Sequence, residues 1–204
     1  QEIPTVTQNV RIDVTELMAF RKKINNDLGV KYSLNDYVLK ATAKALKNNK
    51  HILVSLDGDQ IIKRAHVNIG MAVALEDGPI VPVIKDADKM SLGEISEAAR
   101  DLAERARTNK LSMDEYKGST FSISNLGMFG VETFNPIINQ PDAGILGVCA
   151  VQDELVMDDA GAITKRQFMR ISFTFDHRLI DGATAAKFEL AIRDLMEHPM
   201  QILL

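Results

Sequence analysis

The chain contains no tryptophan and a single cysteine, Cys149. One thiol cannot close an internal disulfide, so stability must come from buried apolar area. That thiol sits in the apolar run Gly144-Ile145-Leu146-Gly147-Val148-Cys149-Ala150-Val151, which marks it as a small core residue on a buried strand, not a nucleophile. Basic charge is also short. The 24 Lys and Arg are outnumbered by 28 Asp and Glu, and no cluster of them forms a phosphate-neutralising surface, which excludes a nucleic-acid binder. No apolar stretch is long enough to span a bilayer and no secretory or transit signal is present, so a chain with no membrane partner is expected. The expected location is the bacterial cytoplasm, or the mitochondrial matrix after processing. The four histidines, His51, His66, His177 and His198, contain no His-x3-His pair, and one cysteine cannot build a thiolate site, so no metal is expected. The Gly-x-Ser-x-Gly elbow of serine hydrolases is absent, and Gly127-x-x-Gly130 lacks the rest of a phosphate loop. There is no repeat, low-complexity tract or linker, which suits one domain over residues 1–204; the start at Gln1 suggests a piece of a longer protein.

What is present is ordinary globular composition, 46% apolar, enough to bury a core. Asp13-Val14-Thr15-Glu16 reads as a capping box opening a helix with Leu17, Phe20, Ile24 and Leu28 on one face and Gly29 at its end. Ser33-Leu34-Asn35-Asp36 opens a second, running to Asn48-Asn49. The period then shifts to two. Ile52–Leu56, an Asp57-Gly58 turn and Ile61–Arg64 predict a hairpin, Val67–Leu75 a strand, and Ile80–Ile84 a strand that Pro82 confines to an edge or bulge. Ser91-Leu92-Gly93-Glu94 caps a further helix, followed by a helical turn at Ser112–Glu115, a strand over Ser119–Ser124 and a glycine-punctuated turn from Asn125 to Gly130. After the Cys149 strand and a turn at Asp158–Gly161 come a strand through Phe173 and a last helix from about Ala183 to the residue before Pro199.

Chemistry concentrates at Phe173-Thr174-Phe175-Asp176-His177-Arg178-Leu179-Ile180-Asp181-Gly182, where an apolar strand breaks into one imidazole flanked by two carboxylates. That arrangement is suited to hold one tautomer of a general base. Asp176 and Arg178 read as a structural ion pair bracing the loop. His51, His66 and His198 read as structural, the last favoured as a cation at a helix C-terminus. Asp88-Lys89 resembles a lipoyl-attachment pair but lacks the small all-β surroundings.

Two motifs, Asp176-His177-Arg178-Leu179-Ile180-Asp181-Gly182 and Gly118-Ser119-Thr120-Phe121-Ser122-Ile123-Ser124-Asn125-Leu126-Gly127-Met128-Phe129-Gly130, make the chain resemble the catalytic domain of the dihydrolipoamide acyltransferases. These are the core components of 2-oxo acid dehydrogenase complexes, within the chloramphenicol acetyltransferase-like superfamily. The resemblance implies an α/β fold, an α+β two-layer sandwich with a mixed sheet flanked by helices, and separate lipoyl and subunit-binding domains outside this chain. It implies acyl transfer between a dihydrolipoyl arm and coenzyme A, both substrates. His177 would be the general base on the coenzyme A thiol, Ser124 the hydroxyl donor to the oxyanion, and Asp181 an orienting or electrostatic partner. It further implies a homotrimer in which His177 of one subunit meets Ser124 of its neighbour. Trimers would assemble into a cubic or dodecahedral core through the apolar end Met200–Leu204, with dehydrogenase and dihydrolipoamide dehydrogenase components as partners; packing of that end on its own subunit is the alternative. The Ser124 segment resembles the pyruvate branch, hence acetyl. An acetoin-type complex, a non-catalytic scaffold and a stand-alone acyltransferase are the competing readings.

Overall fold

A computed structural model describes residues 3–204. Its centre is a strand of 14 residues, Ile163–Asp176, whose C-terminal half reads apolar on one side and hydroxylated on the other. In chain order the strands are β1 (Thr5–Asp13), β2 (Val54–Asp57), β3 (Gln60–Lys63), β4 (Ile69–Met71), β5 (Val83–Ile84), β6 (Phe121–Asn125), β7 (Gly144–Val148), β8 (Gln152–Met157) and β9 (Ile163–Asp176). The helices are α1 (Thr15–Leu28), α2 (Leu34–Asn48), α3 (Leu92–Arg107), α4 (Gly182–Glu197) and the short α5 (Met200–Leu203). The main sheet runs β1-β9-β7-β6-β4-β5, with β8 paired to the first half of β9, and β2–β3 form a separate hairpin. The sheet is mixed: β4–β6 and β6–β7 are parallel, while β1–β9, β7–β9 and β4–β5 are antiparallel.

The period-two side-chain alternation gives the two faces different chemistry. Ile69, Met71, Phe121, Ile123, Leu146, Val148, Ile171, Phe173 and Phe175 join one core cluster with residues of all five helices. The opposite face carries hydroxyls, amides and glycines: Thr7 bonds Thr174 at 2.7 Å, Ser172 bonds Asn9 at 2.6 Å, and Gly147 lies under the Phe134 ring. Phe173 is the hub of the apolar face, with ring centroids 5.8 Å from Phe121, 5.2 Å from Phe175 and 5.2 Å from Phe188 of α4. It fits because Gly144 of β7, the register partner of Phe175, has no side chain; a Cβ there would lie 2.5 Å from the Phe173 ring.

Local chemistry sets the helix ends. Ser33 with Asp36 and Ser91 with Glu94 form complete capping boxes, and Gly29 closes α1 at φ 65°. Asp36 also accepts from Ser96 Oγ at 2.8 Å, tying α2 to α3. The expected capping box at Asp13 does not form. Asp13 ends β1 in register with Phe168, so Val14 occupies the cap position; one Asp13 carboxylate oxygen accepts from Thr15 and the other pairs with Arg166 of β9. Ile52 belongs to a short helical turn, and the expected strand over Val67–Leu75 contracts to β4 plus a bridge between Val73 and Ile80. Strands β1 and β8 lie outside the elements expected from sequence. On the core-facing side of β1 only Val10 and Ile12 reach the core while Gln8 is polar, and β8 exposes Leu155 and Met157, so neither shows a clean alternation.

Glu189 on α4 is fully buried with both carboxylate oxygens unpartnered, and burial pushes its carboxyl up to about 7. A carboxyl raised in the folded state holds its proton there while the unfolded chain releases it, so stability falls as pH rises from about 4.5 to about 7. Glu189→Met is expected to stabilise the protein, by about 1–3 kcal/mol at pH 8 and by less at pH 5, in thermal melts at the two pH values.

Candidate active site

β9 ends by handing its chain to a turn fixed at every backbone position. Asp176 N–H donates to Ala143 O at 2.9 Å, His177 N–H to Pro4 O at 2.9 Å, and Leu179 and Ile180 N–H both to Asp176 O at 3.0 Å. The buried Asp176 carboxylate accepts from the Arg178 amide at 3.0 Å and from its guanidinium at 2.6–3.1 Å, the bracing ion pair expected from the sequence. The His177 ring leans on Phe175, centroids 5.9 Å apart, and is otherwise exposed. Beside the turn a cleft of about 150 Å³ is lined by Leu56 and Gly58 of the hairpin, by Asp142 and by the paired Asp176 and Arg178.

The flanking carboxylates do not hold the His177 tautomer within this chain. Asp176 is committed to Arg178, and Asp181 caps α4, accepting from Ala183 N and Thr184 N at 2.9 Å and Thr184 Oγ1 at 2.7 Å. Those donors, led by the Thr184 hydroxyl, hold the Asp181 carboxyl below its usual range. Helix amides two and three residues beyond Asp181 outcompete the ring because the cap forms locally, without ordering a long side chain. Asp181→Ala is expected to lower the melting temperature by about 2–4 °C. Thermal melts measure it.

Ser124 lies near the end of β6 on the hydroxyl-bearing face. Ser122, two residues earlier on that face, is committed to Asp142 at 2.6 Å, whereas the half-buried Ser124 hydroxyl has no partner among the described residues. Asn125 on the other face bonds Asn35 of α2 at 2.8 Å and accepts from Gly127 N at 2.9 Å, starting the turn that closes at Gly130 with φ 77°. Gly127 is required there, since a Cβ would lie 2.7 Å from Cys149 O. Two further residues went unnoticed in the sequence. Asp142, raised to about 6 by burial against the pull of the Ser122 and Ser119 hydroxyls, pins the start of β6; Phe134 roofs Gly147, the register partner of Ser124. Only Pro141 beside Asp142 hinted at an ordered turn, and Phe134 carried no pattern.

The register separates the two key side chains. Ser124 is level with Gly147 and Gly147 with Ser172, and His177 lies five residues beyond Ser172. That is about 17 Å along the strands and about 10 Å across them, so Ser124 and His177 of one chain stand roughly 20 Å apart and cannot touch one substrate atom. The remaining histidines have structural settings: His66 Nδ1 sits 2.7 Å from Asp86 Oδ1, His198 Nδ1 2.9 Å from Asp194 O, and His51 lies in a helical turn. Cys149 is buried, its thiol pushed up by burial.

Known proteins share this fold. The chain is 42% identical over 207 residues to the dihydrolipoyllysine-residue acetyltransferase component of the pyruvate dehydrogenase complex of Zymomonas mobilis, covering 100% of this chain and 47% of that protein. It is 40% identical to the dihydrolipoyllysine-residue succinyltransferase component of the 2-oxoglutarate dehydrogenase complex of Rickettsia typhi, over 95% of this chain and 49% of that one. The chain thus spans about half the length of these curated relatives. Among solved structures, Azotobacter vinelandii dihydrolipoamide acetyltransferase superposes with a TM-score of 0.92 at 39% identity, covering 100% of this chain and 85% of that chain; it was solved to define the roles of a serine, a histidine and an asparagine in catalysis. The cubic core of the pyruvate dehydrogenase multienzyme complex superposes with the same score, identity and coverage. Chloramphenicol acetyltransferase, at 13% identity and a TM-score of 0.58 over 95% of this chain and 89% of that one, shares the fold alone. With residues 1–204 matched by its model, the chain belongs to the family of 2-oxoacid dehydrogenases acyltransferase (catalytic domain).

Proposed function

We propose that the chain is the acyltransferase core of a pyruvate dehydrogenase-type complex, moving an acetyl group between a dihydrolipoyl arm and coenzyme A. The observation that carries this reading is the pair His177 and Ser124, each without a side-chain hydrogen bond and on opposite ends of one sheet, which is complete only when subunits bring them together. The homotrimer, and the larger core suggested by the cubic assembly of a structural relative, supply that neighbour. The Azotobacter study names a histidine with an asparagine four residues later, the spacing of His177 and Asp181, which supports counting Asp181 as part of the site.

The chemistry follows from the groups. The coenzyme A thiol, with a pKa of about 8.5 for an ordinary thiol, gives its proton to His177 as it attacks the acetyl thioester carbonyl. The tetrahedral oxyanion accepts a hydrogen bond from the Ser124 hydroxyl. Collapse breaks the bond to the dihydrolipoyl sulfur, which takes the proton from His177. Acetyl is supported by the Ser124 segment, Ile123-Ser124-Asn125-Leu126-Gly127-Met128-Phe129-Gly130, which resembles the pyruvate branch, and by the acetyltransferase relatives. Ser124→Ala is expected to slow transfer from acetyl-coenzyme A to dihydrolipoamide by about 100- to 1000-fold. Unchanged transfer by that variant would remove Ser124 from the mechanism, and faster transfer of succinyl than acetyl by the wild type would reassign the substrate.

A further inference from the structure

On the hydroxyl-bearing face, the strands on either side of β6 set glycine beside its two serines: Gly70 of β4 is level with Ser122, and Gly147 of β7 is level with Ser124. Neither strand gives the serines a side-chain wall, and the start of β6 is held on this face by a hydrogen-bonded cluster instead. One oxygen of the Asp142 carboxylate accepts from Ser122 Oγ at 2.6 Å and from Ser119 Oγ at 2.7 Å, and Asn139 Nδ2 donates to Ser122 Oγ at 3.2 Å. The cluster needs Gly70, since a Cβ there would lie 2.8 Å from Ser122 Oγ and 2.9 Å from Ser119 Oγ. The other Asp142 oxygen is buried with no partner among the described residues, and burial pushes the carboxyl up to about 6. Chief among the groups that oppose this push are the Ser122 and Ser119 hydroxyls. The backbone carrying the carboxylate is itself fixed: Asp142 N–H donates to Asn139 O at 3.0 Å, and the carbonyl of Ala143 takes the Asp176 amide at 2.9 Å.

We infer that Asp142 is a positioning residue for acyl transfer, holding β6 through Ser122 so that the Ser124 hydroxyl, two residues on, is set at one height and tilt. The inference rests on the acyl-transfer reading of Ser124. Ser122 and Ser124 share a face and lie about 7 Å apart along the strand, with only Ile123 between the anchored hydroxyl and the reacting one. Ile123 is buried on the opposite face, and Asn125 beyond Ser124 is tied to Asn35 and Gly127. Those contacts hold β6 from the apolar side and from its end, and the Asp142 cluster holds it from the side on which Ser124 works. The Ser124 hydroxyl has no partner among the described residues, so its aim comes from the strand alone. A donor stabilises an oxyanion only at about 2.7–3.1 Å, so a strand displaced by about 1 Å loses much of the rate. Asp142 acts through Ser122 and touches no reacting atom.

The test is a double-mutant cycle on acetyl transfer from acetyl-coenzyme A to dihydrolipoamide. Asp142→Ala is expected to lower kcat by about 10- to 100-fold with KM for both substrates within about threefold, because the binding contacts stay while the donor loses its aim. Asp142→Asn, whose amide oxygen still accepts a hydroxyl, is expected to recover most of that loss. In a Ser124→Ala background no hydroxyl is left to aim, so adding Asp142→Ala is expected to cost less than about twofold more. Ser122→Ala cuts the same link from the strand side and is expected to repeat the pattern; it takes the place of Asp142→Ala in the cycle if melting curves show that variant unfolded. Undiminished kcat, a loss carried by KM, or an asparagine variant as slow as the alanine one would overturn the proposal. The full Asp142→Ala loss recurring in the Ser124→Ala background would overturn it too, and would leave the acyl-transfer reading standing. A Ser124→Ala protein as fast as the wild type would overturn both.

Discussion

His177→Ala is expected to lower acetyl transfer to dihydrolipoamide by about 100- to 10,000-fold while leaving the fold intact. The ring is exposed and holds no side-chain hydrogen bond, and the turn is kept by backbone bonds to Pro4 and Ala143 and by the Asp176–Arg178 pair, none of which needs the imidazole. The same variant tests whether the site is shared. His177→Ala subunits keep Ser124, and Ser124→Ala subunits keep His177, so reassembling an equal mixture of the two inactive proteins creates sites with one intact residue from each. If sites form between neighbours, about a quarter of them are complete in a random mixture, and about a quarter of wild-type activity returns. A mixture that stays as inactive as its parents would show that the two side chains do not work across a boundary. The roughly 20 Å that the sheet register puts between them in one chain would then leave no shared chemistry.

Phe173→Ala is the substitution expected to cost most in stability, about 3–5 kcal/mol, measured by urea unfolding. Its fully buried ring touches Phe121 of β6, Phe175 of β9 and Phe188 of α4, so its loss opens a cavity where the sheet meets its helix layer. The ring cannot be replaced from the neighbouring strand, because Gly144 has no side chain to move in. Function follows packing here: the same contacts align β6, which carries Ser124, with β9, which carries the His177 turn. Phe173→Leu, which keeps most of the volume, is expected to cost markedly less. Equal losses for the two variants would mean that the site collapses without a cavity.

Elements with complete local signals were legible in the chain. The boxes at Ser33–Asp36 and Ser91–Glu94, the Gly29 stop, the hairpin turn at Asp57-Gly58 and the edge position of Pro82 depend on residues within a few positions of one another. Elements that exist only through partners were not. β1 is held along its whole length by β9, more than 150 residues later in the chain, and its own alternation is too polar to announce it. Asp13, a good cap by composition, was claimed by that pairing instead.

The sequence alone determined the strand that ends at His177, the hydroxyl-bearing strand of Ser124, and through the two motifs the family to which both belong. Only the tertiary structure decided what the neighbouring groups do. Asp181 proved to be a helix cap and Asp176 the partner of Arg178, because each satisfies a nearby donor at less conformational cost than a bond to the exposed ring. The structure alone also set the distance between base and hydroxyl. A strand fixes the direction of its own side chains by its period of two, but its level relative to another strand comes from hydrogen-bond register across the sheet, a long-range pairing that no local pattern encodes.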